Sequence, residues 1–233
     1  MYKNIMLKIS GESLAGGNEQ GFDFQILNDL SKNIKILTEK GTKVSIVLGG
    51  GNFIRGASFS NGVVDRVTSD YMGMLGTVIN SLALQSNLEK IGVPSRVMTA
   101  ISINRVAEPY IKNKATRHLE KGRVVIFASG TGNPFFSTDT AAVLRASEMK
   151  SDVIMKGTKV DGIYDKDPVE NKDANKIENI SYSEFLSKDI KVMDATAISL
   201  AKDRNLPIII FSILNSSNII DIVDGKGSYS VID

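Results

Sequence analysis

The stretch Val44-Ser45-Ile46-Val47-Leu48 runs directly into Gly49-Gly50-Gly51-Asn52. A short apolar run that ends in three glycines is typical of a buried β-strand followed by a loop. Ligands of open α/β sheets bind beyond the carboxyl ends of the strands, so this junction is a candidate ligand site. The stretch therefore favours an α/β fold whose functional site lies at one edge of a sheet.

On both sides of this junction, short apolar runs rich in β-branched residues alternate with longer amphipathic runs. This alternation is typical of a mainly parallel sheet covered by helices. The predicted strands span residues 5–9, 44–48, 96–99, 124–128, 153–155 and 207–211. The predicted helices span residues 24–40, 69–90, 138–149, 183–188, 194–204 and 218–224.

Two details of this pattern bear on how the chain packs. In helix 69–90, the helical spacing of the apolar side chains predicts a core-facing stripe. The stripe consists of Met72, Leu75, Ile79, Leu82 and Leu88. Segment 161–175, dense in Asp, Lys and Asn, is predicted to be a surface loop. No Pro-rich or Gly/Ser-rich linker divides the chain, so we expect one continuous sheet, with a division into two lobes near residue 150 left open.

Composition excludes several classes of protein. The chain has 233 residues, 42% of them hydrophobic, which is enough for a sizeable core and too many for intrinsic disorder. The net charge of +2 lacks the basic excess of a dedicated nucleic-acid binder. There is no cysteine, so disulfides, thiolate zinc sites and cysteine nucleophiles are excluded. Residues 1–10 lack a signal-peptide pattern and no apolar run is long enough for a membrane span, so we expect a cytoplasmic protein without membrane partners.

Four short segments at predicted strand ends combine glycine with hydroxyl or charged residues. They span residues 8–11, 49–52, 129–133 and 157–159. Glycine lets backbone N–H groups approach an anion, so the segments are candidate phosphate cradles, although strand-to-helix turns need glycine in any case. Four together favour phosphate binding. Neither G-x-x-x-x-G-K-[ST] nor the complete dinucleotide fingerprint is present, which disfavours a P-loop kinase and a Rossmann dehydrogenase.

Three charged or titratable residues suggest the chemistry. Lys8 lies among apolar residues of the first predicted strand, where it either faces an anion or is an edge-strand lysine with its charged end in water. Arg55 follows the glycine triplet and could bridge phosphates or be a solvated side chain. His118 is the only histidine, and its polar surroundings predict a residue on a surface helix. A reaction without a general base fits best, such as phosphoryl transfer to an oxygen that is already anionic.

Five segments carry a resemblance to a known family. They are Lys8-Ile9-Ser10-Gly11-Glu12; Gly49-Gly50-Gly51-Asn52 with Arg55; Asp70-Tyr71-Met72-Gly73-Met74; Thr131-Gly132-Asn133-Pro134-Phe135-Phe136-Ser137-Thr138-Asp139; and Lys159-Val160-Asp161-Gly162-Ile163-Tyr164 with Asp167-Pro168. In this order, over nearly the whole chain, they resemble the bacterial uridylate (UMP) kinases of the amino acid kinase superfamily. The third and fourth segments are the most specific to that branch.

The resemblance implies a three-layer αβα sandwich around a mainly parallel sheet. Residues 1–233 would form a single amino acid kinase domain, with an N-terminal lobe mainly for UMP and phosphates and a C-terminal lobe mainly for ATP. The implied reaction converts ATP and UMP to ADP and UDP in pyrimidine nucleotide biosynthesis. Mg²⁺ would be bound mainly through the nucleotide phosphates, and the protein would be a homohexamer. UTP is a candidate feedback inhibitor, and GTP is a candidate activator through segment 16–22.

The resemblance also implies roles for individual residues. Lys8 and Arg55 would be catalytic cations, with Asp139 as a polar organiser of the site. ATP would contact Lys8, Ile9, Ser10, Gly11, Gly51, Arg55, Thr158, Tyr164 and Asp167. UMP would contact Gly50, Asp70, Thr131, Gly132, Asn133, Pro134, Phe135, Phe136, Ser137 and Thr138. No residue is assigned as a metal ligand.

Two assignments have structural alternatives. Asp70 suits ribose hydroxyls because a carboxylate only accepts hydrogen bonds, but it could instead be a first-turn partner of the helix dipole. Lys156 is either a second phosphate-facing cation or a surface lysine at a strand end. For the whole protein, the alternatives are a relative that phosphorylates a carboxylate or carbamate, and a nucleotide-binding regulator without turnover.

Overall fold

The computed structural model describes residues 2–54, 63–188, 190–215 and 217–233. Within these ranges, nine strands join one sheet and two short strands pair in a second. The strands of the large sheet are β1 (Asn4–Ile9), β2 (Lys43–Leu48), β3 (Ser95–Thr99), β4 (Glu108–Pro109), β5 (Val124–Ala128), β6 (Val153–Thr158), β9 (Asn179–Ile180), β10 (Ile208–Ser212) and β11 (Tyr229–Ile232), and those of the small sheet are β7 (Ile163–Tyr164) and β8 (Lys176–Ile177).

The large sheet is mainly parallel, as predicted. Its strand order is β4-β3-β5-β2-β1-β6-β10-β11-β9, and β10 and β11 form its antiparallel pair. Strands β5, β2, β1 and β6 are therefore parallel neighbours whose carboxyl ends meet at the same edge. The segments after β1, β2 and β5 that resemble phosphate cradles are brought side by side by this topology.

Eight helices connect the strands in the described residues. They are α1 (Gly11–Ala15), α2 (Phe24–Glu39), α3 (Arg66–Lys90), α4 (Lys112–Glu120), α5 (Thr138–Met149), α6 (Tyr182–Ser187), α7 (Ala195–Arg204) and α8 (Asn218–Val223). Side-chain N-caps explain several of the starts, because an Asp or Ser accepts from an otherwise unpaired N–H in the first turn. Asp23, Asp65, Ser137, Ser181 and Asp194 cap α2, α3, α5, α6 and α7.

Two hydrophobic layers cover the sheet, one on each face. Side chains alternate between the faces along β1, so Ile5, Leu7 and Ile9 pack with α2, α3 and α8, whereas Met6 packs with α4 to α7. The expected three-layer αβα arrangement is confirmed. No helix in the described ranges combines the length and apolar character that crossing a membrane requires.

The predicted core face of the long helix is partly wrong. Helix α3 begins at Arg66, three residues before the predicted start, because Asp65 accepts from the Thr68 N–H as its cap. Leu75 and Ile79 are 48% and 46% exposed instead of facing the core. The buried stripe of α3 contains small and polar residues, which an analysis of apolar spacing does not count. They are Gly76, Thr77, Asn80 and Ser81.

The region after β6 also differs from the prediction. Strand β6 continues through Thr158, three residues beyond the predicted end, so Gly157 and Thr158 belong to the sheet and not to a loop. A Cβ at Gly157 would lie 3.2 Å from Ile213 Cδ1, which explains a glycine inside this strand. Segment 161–175 is not entirely a surface loop, because Ile163 is buried where β7 pairs with β8.

Candidate active site

A buried ion triad lies at the carboxyl end of β1 and β6. Lys8 and Lys156 are register partners in these parallel strands, and both point to the face covered by α5. Asp139, the second residue of α5, lies 2.7 Å from Lys8 Nζ through Oδ1 and 2.5 Å from Lys156 Nζ through Oδ2. All three residues are at most 8% exposed. One carboxylate thus holds two ammonium groups together in a site largely closed to water.

The electrostatics of the triad follow from this arrangement. Burial alone would raise the pKa of Asp139, but the adjacent charges of Lys8 and Lys156 outweigh it, so its pKa lies below the ordinary value. Burial lowers the pKa of Lys156, and the positive charge of Lys8 lowers it further, against the opposing effect of Asp139. The triad carries a net positive charge when both lysines are protonated, which suits an anionic ligand.

Two of the structural alternatives for these lysines are wrong. Lys8 is not an edge-strand lysine, because β1 lies between β2 and β6. Lys156 is not a surface lysine, since its side chain is buried and also donates to the Val192 carbonyl at 2.5 Å. That Lys156 lies beside Lys8 follows from the register between β1 and β6, which the sequence does not show.

Asp194 is a contributor that the sequence analysis missed. Its Oδ1 accepts from Thr140 Oγ1 at 3.0 Å and from the Ala197 N–H at 2.9 Å, and its Oδ2 accepts from the Ser137 hydroxyl. Asp194 therefore joins the start of α7 to the first turn of α5, which carries Asp139. In the sequence, Asp194 is recognisable as the N-cap of α7, but this does not reveal its contact with α5.

A cavity of about 510 Å³ opens between α3 and the loops after β2 and β5, and Thr138, the residue before Asp139, lies in its wall. Asp139 and Lys156 of the triad lie in the wall of another cavity, together with Ser137 and Asp194. Seven residues of the predicted phosphate cradles and UMP-binding set lie in the wall of the first cavity. They are Gly50, Gly51, Asp70, Gly130, Thr131, Phe136 and Thr138. The wall also includes Gly73, from the resemblance segment that begins at Asp70, and Arg66 and Thr77, which the sequence analysis did not single out. Gly132, Asn133, Pro134, Phe135 and Ser137 are not among the described residues of the wall.

Close backbone packing shapes the floor of this cavity. A Cβ at Gly50 would lie 2.4 Å from the Gly73 carbonyl oxygen of α3, a distance that no side chain could occupy without moving the backbone. Thr77 supports the same region, because its hydroxyl donates to the Met74 carbonyl and accepts from the Ser129 N–H at 2.7 Å. The loops after β2 and β5 are therefore both fastened to α3.

Asp70 lies at the mouth of the cavity, and its surroundings exclude the first-turn alternative. It is the fifth residue of α3, and Asp65 caps the helix. Both Asp70 carboxylate oxygens accept from Arg66 Nε at 3.0 Å, and Oδ2 also accepts from the Phe135 N–H at 2.7 Å. Phe135 has φ +70°, a strained value for an aromatic residue, and its ring lies under the Arg66 guanidinium. Strain of this kind is common at ligand-binding sites.

Apart from Gly51, which lies in the cavity wall, the described residues predicted to bind ATP lie in two places. Lys8, Ile9, Ser10 and Gly11 lie at the junction of β1 and α1, where Ser10 caps the helix. Thr158, Tyr164 and Asp167 lie further along the chain and make local contacts. The Thr158 hydroxyl donates to the Val160 carbonyl, the Tyr164 hydroxyl donates to Asp161 Oδ1, and Asp167 Oδ1 accepts from the Val169 N–H. Arg55 lies outside the described residues.

His118 belongs to a helix, as expected, but its side chain is only 13% exposed. Its Nε2 lies 3.2 Å from Glu108 Oε2 and its Nδ1 lies 3.0 Å from Arg123 Nη1. These neighbours flank the ring and explain why the residue is less exposed than predicted. None of these residues lies in the cavity wall.

Comparison with known proteins agrees with this geometry. The model of the amino acid kinase family matches residues 3–212. The chain belongs to the amino acid kinase family. It is also 53% identical over 231 residues to a uridylate kinase of Wolbachia pipientis wMel, a match that covers 99% of this chain and 93% of that protein.

Solved structures extend the comparison. The UMP kinase from Bacillus anthracis has a TM-score of 0.96 and 39% identity, covering 100% of this chain and 96% of that chain. The UMP kinase from Ureaplasma parvum has a TM-score of 0.94 and 38% identity, covering 100% of this chain and 99% of that chain. The uridylate kinase from Archaeoglobus fulgidus, at 23% identity and a TM-score of 0.77, shares the fold.

Proposed function

We propose that this amino acid kinase is a UMP kinase, which transfers the γ-phosphoryl group of ATP to UMP and forms ADP and UDP. The observation that carries the proposal is the buried Lys8–Asp139–Lys156 triad at the start of α5, next in the chain to Thr138, which lines a cavity together with Asp70 and Thr131. The 53% identity with a uridylate kinase supports the choice of UMP as the acceptor. The product places the enzyme in pyrimidine nucleotide synthesis.

The proposed mechanism is electrostatic. Donor and acceptor are both anions, so the barrier falls when fixed cations and backbone N–H groups stabilise the charge on the transferring phosphoryl group. Lys8 and Lys156 supply two such cations, and Asp139 fixes them before substrate binds. Burial keeps water away and strengthens these interactions. Arg55, which the family resemblance assigns to the phosphates, completes our proposed set of cations.

On the acceptor side, we assign the UMP phosphate to the glycine loop at Gly50 and to the N-terminal end of α5. The dipole of the helix N-terminus favours an anion there, although the Asp139 and Thr140 N–H groups already donate to the Ser137 hydroxyl. Asp70 would accept from the ribose hydroxyls, with Arg66 holding its carboxylate in place. The rest of the segment from Thr131 to Thr138 would enclose the nucleotide. The N-terminal lobe thus binds mainly UMP.

On the donor side, we assign the ATP phosphates to the turn from Lys8 to Gly11 and to Gly51. Thr158, Tyr164 and Asp167 would contact the rest of ATP from the C-terminal lobe. The Tyr164 ring has a fixed position for this role, because its hydroxyl donates to Asp161 Oδ1 at 2.6 Å. That hydrogen bond is the main cause that raises the pKa of Tyr164 to about 12, so the ring stays neutral at physiological pH.

Mg²⁺ is the proposed cofactor, carried by the nucleotide phosphates. Both carboxylate oxygens of Asp139 face lysine ammonium groups, so this residue does not fit a metal ligand. In the ranges that the structure describes, no three acidic or histidine residues cluster as a metal site would require. When bound to ATP, Mg²⁺ supplies neutralisation of the phosphate charges.

A homohexamer is the proposed assembly. Helix α3 exposes four apolar side chains at a spacing of four residues, namely Val67, Tyr71, Leu75 and Ile79. A contiguous apolar face of this kind marks a protein interface, and a second copy of the chain is the proposed occupant. We further propose a cytoplasmic location, regulation by UTP as inhibitor and GTP as activator, and no nucleic-acid or membrane partner.

The experiment that tests the function is ADP release from ATP and Mg²⁺ with a panel of acceptors. We expect turnover with UMP and much less with CMP, acetylglutamate or aspartate. Turnover with acetylglutamate or aspartate instead of UMP would identify an amino acid kinase of another substrate class. ATP binding without turnover on any acceptor would identify a nucleotide-binding regulator. Either result would refute the proposal.

A further inference from the structure

Two buried asparagines form reciprocal hydrogen bonds next to the glycine loop. Asn52 follows the triplet Gly49-Gly50-Gly51, and Asn80 lies in the middle of α3. Asn80 Nδ2 donates to Asn52 Oδ1 at 2.7 Å, and Asn52 Nδ2 donates back to Asn80 Oδ1 at 2.9 Å. The residues are 2% and 0% exposed. The pair is therefore a reciprocal amide–amide contact that water does not reach.

The remaining N–H of each amide binds a glycine carbonyl. Asn80 Nδ2 donates to the Gly49 carbonyl at 2.6 Å, and Asn52 Nδ2 donates to the Gly21 carbonyl at 2.8 Å. The Gly21 N–H in turn donates to the Asn52 carbonyl at 3.1 Å. All four amide N–H groups of the pair are used. The pair thus connects the glycine loop, α3 and the turn that ends at Gly21.

Asn52 also limits the space around Gly11, the first residue of α1. A Cβ at Gly11 would lie 2.5 Å from Asn52 Oδ1 and 2.6 Å from the Gly51 N–H nitrogen. The turn after β1 and the loop after β2 therefore pack directly on each other, with Asn52 as the contact. A shift of Asn52 would move both proposed phosphate-binding segments at once.

We propose that Asn52 and Asn80 are positioning residues, which hold the glycine loop in its phosphate-binding geometry and couple it to α3 and to the Gly21 turn. Only an amide donates two hydrogen bonds and accepts others from one planar group, so Asp, Ser or Ala cannot replace either residue fully. A buried network of this kind fixes one arrangement when every group is satisfied. The inference rests on the proposed function for its kinetic consequence, but not for the structural one.

The expected consequence is a loss of preorganisation. A displacement of a reacting group by about 1 Å can cost about a hundredfold in rate. We therefore expect Asn80→Ala to lower kcat/KM for UMP by about ten- to a hundredfold at temperatures well below its Tm. The matched control is Asn87→Ala on the same helix, whose amide donates to Leu27 and Ser31 of α2, away from the loop. It should lower the Tm but leave kcat/KM within about twofold.

Hydrogen–deuterium exchange gives a readout that does not depend on turnover. In Asn80→Ala, the peptides that contain residues 49–52 and 16–22 should exchange at least about tenfold faster, while in Asn87→Ala they should exchange as in the wild type. Unchanged exchange in Asn80→Ala, or kinetics like those of Asn87→Ala, would overturn the proposal. If the wild type does not phosphorylate UMP, the proposed function fails, and the exchange experiment still judges the positioning role.

A double-mutant cycle tests whether the two amides act as a unit. Since each needs the other, Asn52→Ala combined with Asn80→Ala should cost little more in kcat/KM than either change alone. Fully additive losses would refute the reciprocal pair. Should Asn80→Ala fail to fold, Asn80→Asp takes its place, because it preserves the shape and the acceptor for Asn52 but loses both donors. It should still accelerate exchange at residues 49–52, and normal exchange there would contradict the proposal.

Discussion

Lys8 and Lys156 are register partners in adjacent parallel strands, and Asp139 reaches both ammonium groups from the first turn of α5. Like charges on directly opposed residues are destabilising, so the arrangement depends on the carboxylate between them. Lys8 is far along the chain from both partners, whereas Asp139 and Lys156 are only 17 residues apart. Substitution of Lys8 should therefore mainly lower turnover, whereas substitution of Asp139 should mainly lower the free energy of unfolding.

Lys8→Ala should lower turnover by about 10²- to 10³-fold, the range for removing one preorganised charge-stabilising donor. UMP affinity should change much less, because the interaction is strongest in the transition state. Steady-state kinetics with ATP and UMP measure both quantities. The control is Lys40→Ala, which removes an ion pair with Asp224 at the surface and should leave turnover unchanged. A loss below about threefold for Lys8→Ala would assign this lysine a structural role.

Asp139→Asn should lower the free energy of unfolding by about 3–5 kcal/mol at pH 7, because two buried ammonium groups lose their counter-ion. Urea unfolding measures the change, and Asp224→Asn at the Lys40 surface pair should cost less than about 1 kcal/mol.

The loss of unfolding free energy in Asp139→Asn should become smaller as the pH rises. Burial and Lys8 already lower the pKa of Lys156, and loss of the Asp139 charge lowers it further, so Lys156 deprotonates and the repulsion ends. A loss of unfolding free energy that stays constant between about pH 7 and 10, a range below the ordinary lysine pKa, would contradict this account.

Asp70→Asn should weaken UMP binding by about ten- to a hundredfold, the range for charge-assisted hydrogen bonds, and ATP binding should barely change. The wild type should discriminate against 2′-deoxy-UMP, and the variant should lose much of that discrimination. Titration of UMP and dUMP measures both effects. The matched control is Asp65→Ala at the helix cap, which removes the acceptor for the Thr68 N–H and should lower stability without changing the preference for UMP. Equal UMP affinities in Asp70→Asn and the wild type would remove Asp70 from the site.

His118→Gln should leave the rate and its pH profile unchanged, because the proposed transfer needs no base and the ring lies between Glu108 and Arg123. An acidic limb should follow the second ionisation of the UMP phosphate near about pH 6. Initial rates from about pH 5 to 9 in both proteins check this. Loss of the limb in the variant would refute the base-free mechanism.

Asp161→Asn should lower stability at neutral pH and reduce its decline in acid. Burial would raise the pKa of Asp161, but hydrogen bonds from Lys176, Tyr164 and Ser228 lower it to about 2. The wild type therefore has this stabilisation at pH values above the pKa of Asp161 in the unfolded state. It loses the stabilisation as the pH falls through the pKa of Asp161 in the folded state. The carboxylate is 42% exposed, so after allowance for screening we expect about 1 kcal/mol. Acid unfolding curves that coincide for both proteins would contradict the prediction.

Local sequence patterns predicted the secondary structure well where packing followed apolar periodicity. Helix α5 and strand β5 have the predicted bounds, since an N-cap or glycine-rich ends delimit clear apolar runs. The buried face of α3 was predicted poorly at Leu75 and Ile79. Its buried side rests on the glycine loop, where Gly76, Thr77 and Asn80 fit and large apolar residues would not.

The candidate site divides in the same way. Local patterns identified the glycine segments and Lys8, because close backbone approach and an isolated charge leave a local signature. Asp70 and the run from Thr131 to Asp139 were assigned through the family resemblance. The sequence left Lys156 undecided and did not reveal Arg66, Asp194 or the Asn52–Asn80 pair. Lys156, Asp194 and the two asparagines take their roles from partners in other elements. Arg66 pairs with Asp70 only four residues away, but the packing of its guanidinium on Phe135 depends on the tertiary structure.

By itself, the sequence determined the α/β class and the segments that meet at one edge of the sheet, because strand alternation and glycine turns are local properties. Only the tertiary structure decided which charges pair. The register of β1 against β6 sets Lys8 beside Lys156, and the start of α5 places Asp139 between them. Such pairing depends on the burial and distance of groups in separate elements of the fold, and no periodicity within any one of these elements encodes it.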